Sequence, residues 1–195
     1  MKSTLFNMVA VLFTITLIAS AGVGAVNMIT EDAIAEANRQ ATVAAVANVL
    51  PAFEKSEMST MTIDEMPINI YTSVDGSGAV VGYAVETMTM SGFSGKVRMM
   101  VGFDAEGTIL NVNVLEQSET PGLGSKMCDE GNVLLASVQG KNPANLKLKV
   151  KKDGGDIDAL TAATISSRAP CLRGIQGGKR RAGIYRRSIG CNSYT

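Results

Sequence analysis

The chain has 195 residues, 46% hydrophobic and only 18% charged, which leaves room for one domain with accessories and excludes a disordered chain. It contains no histidine, so Ser-His-Asp and Cys-His nucleophile systems, H-E-x-x-H zinc sites and histidine-ligated haem are all excluded. The three cysteines, Cys128, Cys171 and Cys191, are too scattered for a disulfide framework and form no C-x-x-C, which leaves chemistry to oxygen side chains, lysines or a cofactor.

The net charge of zero conceals a segregation. Residues 27–167 carry ten Lys and Arg against eighteen Asp and Glu, a balance of −8, whereas residues 168–195 carry seven basic residues and no acid. A body of that sign repels phosphates, so no nucleic-acid partner is expected for it.

No residue between Lys2 and Glu31 is charged, and Leu5–Val26 exceeds the roughly 20 apolar residues that a bilayer-spanning helix needs. Ala19-Ser20-Ala21 resembles a signal-peptidase site, yet apolar character continues past it to Ile29, and the start carries a single lysine. An uncleaved single-pass anchor is therefore expected. Lys2 before the span and Glu31, Asp32 and Glu36 after it predict a cytoplasmic N-terminus and an external body. Thr30 is expected to cap a further helix with Glu31 and Asp32 in its first turn, running to about Leu50 and stopped by Pro51. Residues 54–66 are polar, Met-rich and without period, and read as a loop.

Strand periodicity follows. Ile68–Val74 and Ala79–Met90 flank Asp75-Gly76-Ser77-Gly78, a hairpin signal, and Lys96–Phe103 and Thr108–Glu116 flank a second short turn. Lys126–Val138 reads as a helix, Leu146–Val150 as a short strand, and Thr164 as the start of another helix. Strands with segregated helices define an α+β domain, an antiparallel sheet with flanking helices. The scattered methionines read as core filling rather than copper ligands, so no metal is expected, and Cys128 reads as an inert buried thiol.

Two loops carry candidate chemistry. Glu119-Thr120-Pro121-Gly122-Leu123-Gly124 sets a tight turn whose glycines permit close backbone approach, although Pro-Gly alone is simply a turn. Asp158-Ala159-Leu160-Thr161-Ala162-Ala163-Thr164-Ile165-Ser166-Ser167 is crowded with small residues and hydroxyls and opens a predicted helix. That pattern fits a phosphate site as well as an ordinary N-cap on Asp158 or Thr161.

Together, in this order, the loops resemble the flavin-binding subunits of membrane redox pumps. These are the G subunit of Rnf-type electron transport complexes and the longer C subunit of Na+-pumping NADH:quinone reductases. That family shows one N-terminal span, an extracytoplasmic α+β domain, E-T-P-G-L-G, and later D-x-x-[ST]-G-A-T. The first motif matches in full, and the second reads D-A-L-T-A-A-T, with Ala162 in place of glycine. Gly92-Phe-Ser-Gly95, Met100-Val-Gly102 and Val114-Leu115 also fit, and the short length favours the Rnf G subunit.

The resemblance implies an electron-relay subunit of an ion-translocating complex in the cell inner membrane, with the other membrane subunits as partners and no independent catalysis. It implies FMN esterified through its phosphate to Thr164 by a separate flavin transferase using FAD. Asp158 is then an orienting residue and Thr161 a second hydroxyl near the phosphate, while Ala162 and Ala163 give access to the backbone. Glu119, Thr120, Gly122 and Leu123 border the isoalloxazine. The implied organisation is a span over residues 1–29, an FMN-binding domain over 30–169 and an atypical basic tail over 170–195. Pro170 and five following glycines interrupt the helix that the family has there, and the tail reads as out of frame and packing on nothing. A membrane-anchored binding or structural module without a flavin is the rival reading; it explains the anchor and body but not the paired motifs.

Overall fold

No proline occurs between Leu5 and Leu50, and in the computed structural model this stretch forms one helix, α1, over Leu5–Val49. The structure describes residues 5–63, 66–170 and 175. The separate helix expected from Thr30 is not formed. Thr30 lies mid-helix, and its Oγ1 donates to the Val26 carbonyl at 2.9 Å and the Asn27 carbonyl at 3.3 Å, so it caps nothing. Thr14 and Thr16 hydroxyls bond back to Ala10 and Leu12 in the same way. Such back-bonding satisfies hydroxyls where no water is available.

The chain divides into two units, residues 1–41 and 42–195. In the first, Leu5, Phe6, Leu12, Phe13 and Ile18 are all largely exposed. The most apolar window of the helix has a mean hydropathy of 2.2 and is long and apolar enough to cross a membrane.

The second unit is built on a five-stranded antiparallel meander, ordered β1 (Lys55–Ile63), β2 (Met66–Val74), β3 (Val80–Thr89), β4 (Val97–Asp104) and β5 (Ile109–Gln117). Both hairpins expected from sequence form, and each is closed by an aspartate. The Asp75 carboxylate accepts the Ser77 and Ala79 amides, and the Asp104 carboxylate accepts the Thr108 amide at 2.7 Å. Residues 54–66 are not a loop, because β1 occupies most of them. As an edge strand paired only with β2 and largely exposed, it buries no face that would impose alternation.

Alternation along β4 serves two cores. Val97, Met99, Val101 and Phe103 join Ile70, Val85, Ile109, Met127, Leu134, Val150 and Ile157 on one face. Met100 and Ala84 face Ala45, Val46, Val49 and Leu50, the last turn of α1 and the residue after it. Met99, Met100 and Met127 are fully buried, as gap-filling core side chains should be, whereas Met88 and Met90 are exposed and fill no core. Gly102 permits the second contact, since a Cβ there would collide with the Val49 carbonyl oxygen.

The chain after β5 contains less regular structure than expected. Lys126–Val138 is not one helix but a 3-10 turn over Gly124–Cys128 and a short α2 over Val133–Ala136. Gly131 sits at φ 67, and Asn132 joins the two pieces: its amide donates to the Met127 and Asp129 carbonyls, and its oxygen accepts the Leu135 amide. Leu146–Val150 is not a strand either; one bridge between Val150 and Ile157 holds it, followed by a 3-10 turn over Lys151–Asp153. Cys128 is exposed rather than buried, and its thiol is pushed up by partial desolvation and by Asp129. Finally α3 spans Thr164–Ala169, where a helix start was expected.

Most of the tail lies outside the described residues. Pro170 is buried, however, and Ile175 is 1% exposed within the core, so this part of the tail does pack. Deleting residues 170–195 is expected to cost about 1.5–3 kcal/mol through the loss of Ile175 alone. A melting midpoint unchanged by the deletion would show that the contact carries no weight.

Candidate functional site

Sheet register brings the loop after β3 and the first sequence motif to one end of the meander. Val97, the first residue of β4, pairs with Thr89 of β3 and with Gln117 of β5. The loop 90–96 and the segment leaving β5 therefore emerge side by side. In the first, the Gly92 amide donates to the Gly95 carbonyl at 3.0 Å, and Gly95 takes φ 111. In the second, the Leu123 amide donates to the Thr120 carbonyl at 3.2 Å, with Pro121 and Gly122 (φ 76) between them. Proline followed by a left-handed glycine is the signature of a type II turn.

Glu119 ties these loops to α3. Its side chain is buried at 5% exposure, yet it has no Lys or Arg partner among the described residues. One carboxylate oxygen accepts the Ser94 amide at 3.3 Å, and the other accepts the Ser166 hydroxyl at 2.6 Å. Two glycines make room for this carboxylate. A Cβ at Gly124 would meet Ser166 Oγ at 2.5 Å and Glu119 Oε2 at 2.8 Å, and one at Gly92 would collide with Glu119 Oε1.

The second motif is shaped from its own helix. The residue before α3 is Ala163, at φ −132 and ψ 45, and neither Asp158 nor Thr161 caps the helix. Ser167 closes the turn instead: its Oγ accepts the Leu160 amide and donates to the Ala163 carbonyl, both at 2.9 Å. Asp158 faces Lys151, whose Nζ lies 2.7 Å from the carboxylate, while its amide donates to Ser137 Oγ. Arg168 at the end of α3 grips both Asp153 oxygens at 2.7 Å and holds that carboxyl below its usual range. Thr161 and Ala162 are exposed, Ala163 is buried, and Thr164 is half-buried with a hydroxyl that no hydrogen bond engages among the described residues.

Ala162 adopts φ 59 and is the one described non-glycine residue at positive φ. Left-handed backbone costs an L-residue roughly 1–2 kcal/mol, partly offset because alanine restricts the unfolded chain more than glycine does. Ala162→Gly is therefore expected to stabilise the domain by roughly 0.5–1 kcal/mol, read as a raised melting midpoint. A lowered midpoint would mean that this backbone is unstrained.

Of the residues singled out from sequence, Glu119 is bonded to Ser166 of α3, two residues beyond Thr164, whereas Thr120, Gly122 and Leu123 make up the turn that follows Glu119. Asp158 and Thr161 lie on the approach to α3 and make no hydrogen bond to Glu119 among the described residues. Sequence reasoning included Ser94, Ser166 and Ser167 in its motifs but gave them no individual role. The signal available was two adjacent serines inside a helix, where serine is a poor former unless its hydroxyl has work elsewhere. A cavity of about 370 Å3, lined in part by Asn111, Asn113, Cys128 and Gln139, lies apart from these residues.

Residues 92–171 match the FMN-binding domain family. The G subunit of the ion-translocating oxidoreductase complex of Shewanella amazonensis is 33% identical over 168 residues, covering 78% of this chain and 77% of that protein. The G subunit of the Na(+)-translocating ferredoxin:NAD(+) oxidoreductase complex of Acetobacterium woodii is 30% identical over 178 residues, covering 84% of this chain and 85% of that protein. Among solved structures, NqrC of Shewanella oneidensis aligns at a TM-score of 0.43 and 21% identity over 68% of this chain and 65% of that one. The chain belongs to the family of G subunits of ion-translocating oxidoreductase complexes.

Proposed function

We propose that the chain is a membrane-anchored electron-relay subunit of an ion-translocating redox complex, carrying FMN as a phosphoester on Thr164. The observation that carries this reading is the Thr164 hydroxyl: half-buried, without a hydrogen-bond partner among the described residues, and two residues from the serine bonded to Glu119. The surroundings fit the group. Phe93, Leu123 and Ile165 are exposed apolar side chains on the three segments that Glu119 joins, and an isoalloxazine needs such a surface. Ala162 and Ala163 leave the approach to Thr164 uncluttered.

FMN supplies reversible electron transfer when bound; the protein contributes tether, orientation and exclusion of water. Attachment is a group transfer. A bond forms between Thr164 Oγ1 and the FMN phosphorus of FAD, the phosphoanhydride bond breaks, and AMP leaves. The hydroxyl proton passes to a base on the flavin transferase. An unassisted threonine hydroxyl is too weak a nucleophile for this, so the transferase must activate it. Asp158 and Thr161 are proposed to orient the segment toward that enzyme, and Thr120 and Gly122 to border the bound flavin with Leu123.

The anchor is proposed to cross the inner membrane once, with residues 30–169 on the extracytoplasmic side and the remaining membrane subunits as partners. Protein recovered from membranes is expected to retain Leu5–Val26, as N-terminal sequencing checks. A sequence that begins after Ala21 or Ala25 would instead identify a cleaved signal. Flavin fluorescence of the denatured chain in a gel, after co-expression with the transferase, tests the cofactor assignment. Only a covalent flavin survives denaturation, so a dark band would favour the flavin-free binding module.

A further inference from the structure

We propose that Glu119 and Ser166 form a positioning pair that fixes the flavin-bearing start of α3 against the loop 120–124, and that neither contacts the flavin; this rests on the reading of Thr164 given above. Four features support the pair. The Glu119 carboxylate is buried, yet no cation neutralises it among the described residues, so its hydrogen bonds alone compensate its burial. The Ser166–Glu119 bond, at 2.6 Å, is a charge-assisted contact between residues 47 apart in sequence and buried at both ends. Gly92 and Gly124 both stand where a side chain would strike the pair, so three segments are shaped around it. Ser166 also lies two residues beyond Thr164 in the same short helix, so its bond to Glu119 anchors the α3 start that bears the tether.

Glu119 and Ser166 are buried whereas Phe93, Leu123 and Ile165 are exposed, so a ligand resting on those side chains is not expected to touch the pair. Its effect must therefore be indirect. If the Ser166 hydroxyl is removed, the carboxylate loses its shortest bond, and the loop 120–124 and α3 are free to part. The tethered flavin keeps its bond to Thr164 but loses its fixed orientation over Leu123.

The test uses the full chain co-expressed with a flavin transferase. Wild type is compared with Ser166→Ala, Glu119→Gln, Glu119→Ala and the Ser166→Ala/Glu119→Ala double variant. Covalent loading is read by in-gel fluorescence, and flavin orientation by visible circular dichroism and the midpoint potential of the loaded protein. Ser166→Ala is expected to load at Thr164 yet show a weakened flavin dichroism and a shifted potential. Glu119→Ala should give the same change, and the double variant no more than either single one, since both break one contact. Glu119→Gln, which can still bond the Ser94 amide and Ser166 Oγ, should restore the wild-type signature. Should Glu119→Ala fail to fold, Ser166→Ala and Glu119→Gln decide the matter. Loaded variants with unchanged dichroism and potential but a lower melting midpoint would reduce the pair to a structural contact, and additive effects would separate the two residues. A wild-type chain without covalent flavin would overturn the Thr164 reading itself, whereas a loaded wild type with indifferent variants overturns only the pair.

Discussion

Replacing Thr164 by alanine is expected to abolish covalent flavin altogether, leaving the intact mass of the co-expressed chain at that of the bare polypeptide. The wild type should gain one FMN less one water. The effect is all or nothing because the substitution removes the oxygen that forms the ester bond, and no neighbouring hydroxyl is equivalent. Thr161 lies three residues earlier in the exposed part of the turn, and the hydroxyls of Ser166 and Ser167 are buried and bonded. Thr164→Ser retains a hydroxyl at the same backbone position and should still load. The fold should tolerate the alanine variant, since the Thr164 hydroxyl bonds nothing else among the described residues. An undiminished mass gain in Thr164→Ala would remove the residue from the chemistry.

The second large effect concerns stability rather than chemistry. Gly102→Ala places a methyl group against the Val49 backbone, with the carbonyl carbon at 2.8 Å and Cβ at 2.9 Å, and its closest clash is with the carbonyl oxygen. Those atoms end α1, and they cannot rotate away as a flexible side chain can. Overpacking costs typically about 1–3 kcal/mol, and the upper end applies where backbone must shift. For a domain of this size each kcal/mol lowers the melting midpoint by about 2–4 °C, so a fall of roughly 5–10 °C is expected. Because Gly102 faces the core formed with α1, the opposite core and the loops around Glu119 should keep their structure below the new midpoint. Loading at Thr164 should then persist in the cold. A midpoint within about 1 °C of wild type would mean that α1 does not rest on the sheet as closely as described.

The elements that sequence disclosed are those whose pattern one dominant force imposes. Strand β4 carries Val97, Met99, Val101 and Phe103 at alternate positions on one face, and the turns at Asp75 and Asp104 have chemistry that is local and therefore readable. The elements that escaped lack such a force. Strand β1 is exposed at the sheet edge and free to be polar, and α1 continues through Thr30 because a threonine in a helix can turn its hydroxyl back onto the preceding turn. The break at Gly131 depends on an asparagine bonding to both flanking pieces, a tertiary detail without a sequence period. At the site, motif spacing identified the two loops but not what joins them. The carboxylate of Glu119, which the resemblance sets at the border of the isoalloxazine, accepts from Ser94 and Ser166, contacts that no spacing in the sequence reveals. The positive φ at Ala162 is likewise not legible in sequence, since alanine is compatible with either sign of φ, only at different cost.

Peptide mapping of the wild-type protein decides whether this chain carries its flavin on one threonine. Protein purified from membranes after co-expression with a flavin transferase is digested under denaturing conditions, and the fluorescent peptide is fragmented by mass spectrometry. The account predicts a single modified peptide containing Asp158–Arg168, with the mass of FMN less water assigned to Thr164. A label on Thr161 or on either serine of α3, or a fully digested protein with no flavin-bearing peptide, would contradict it.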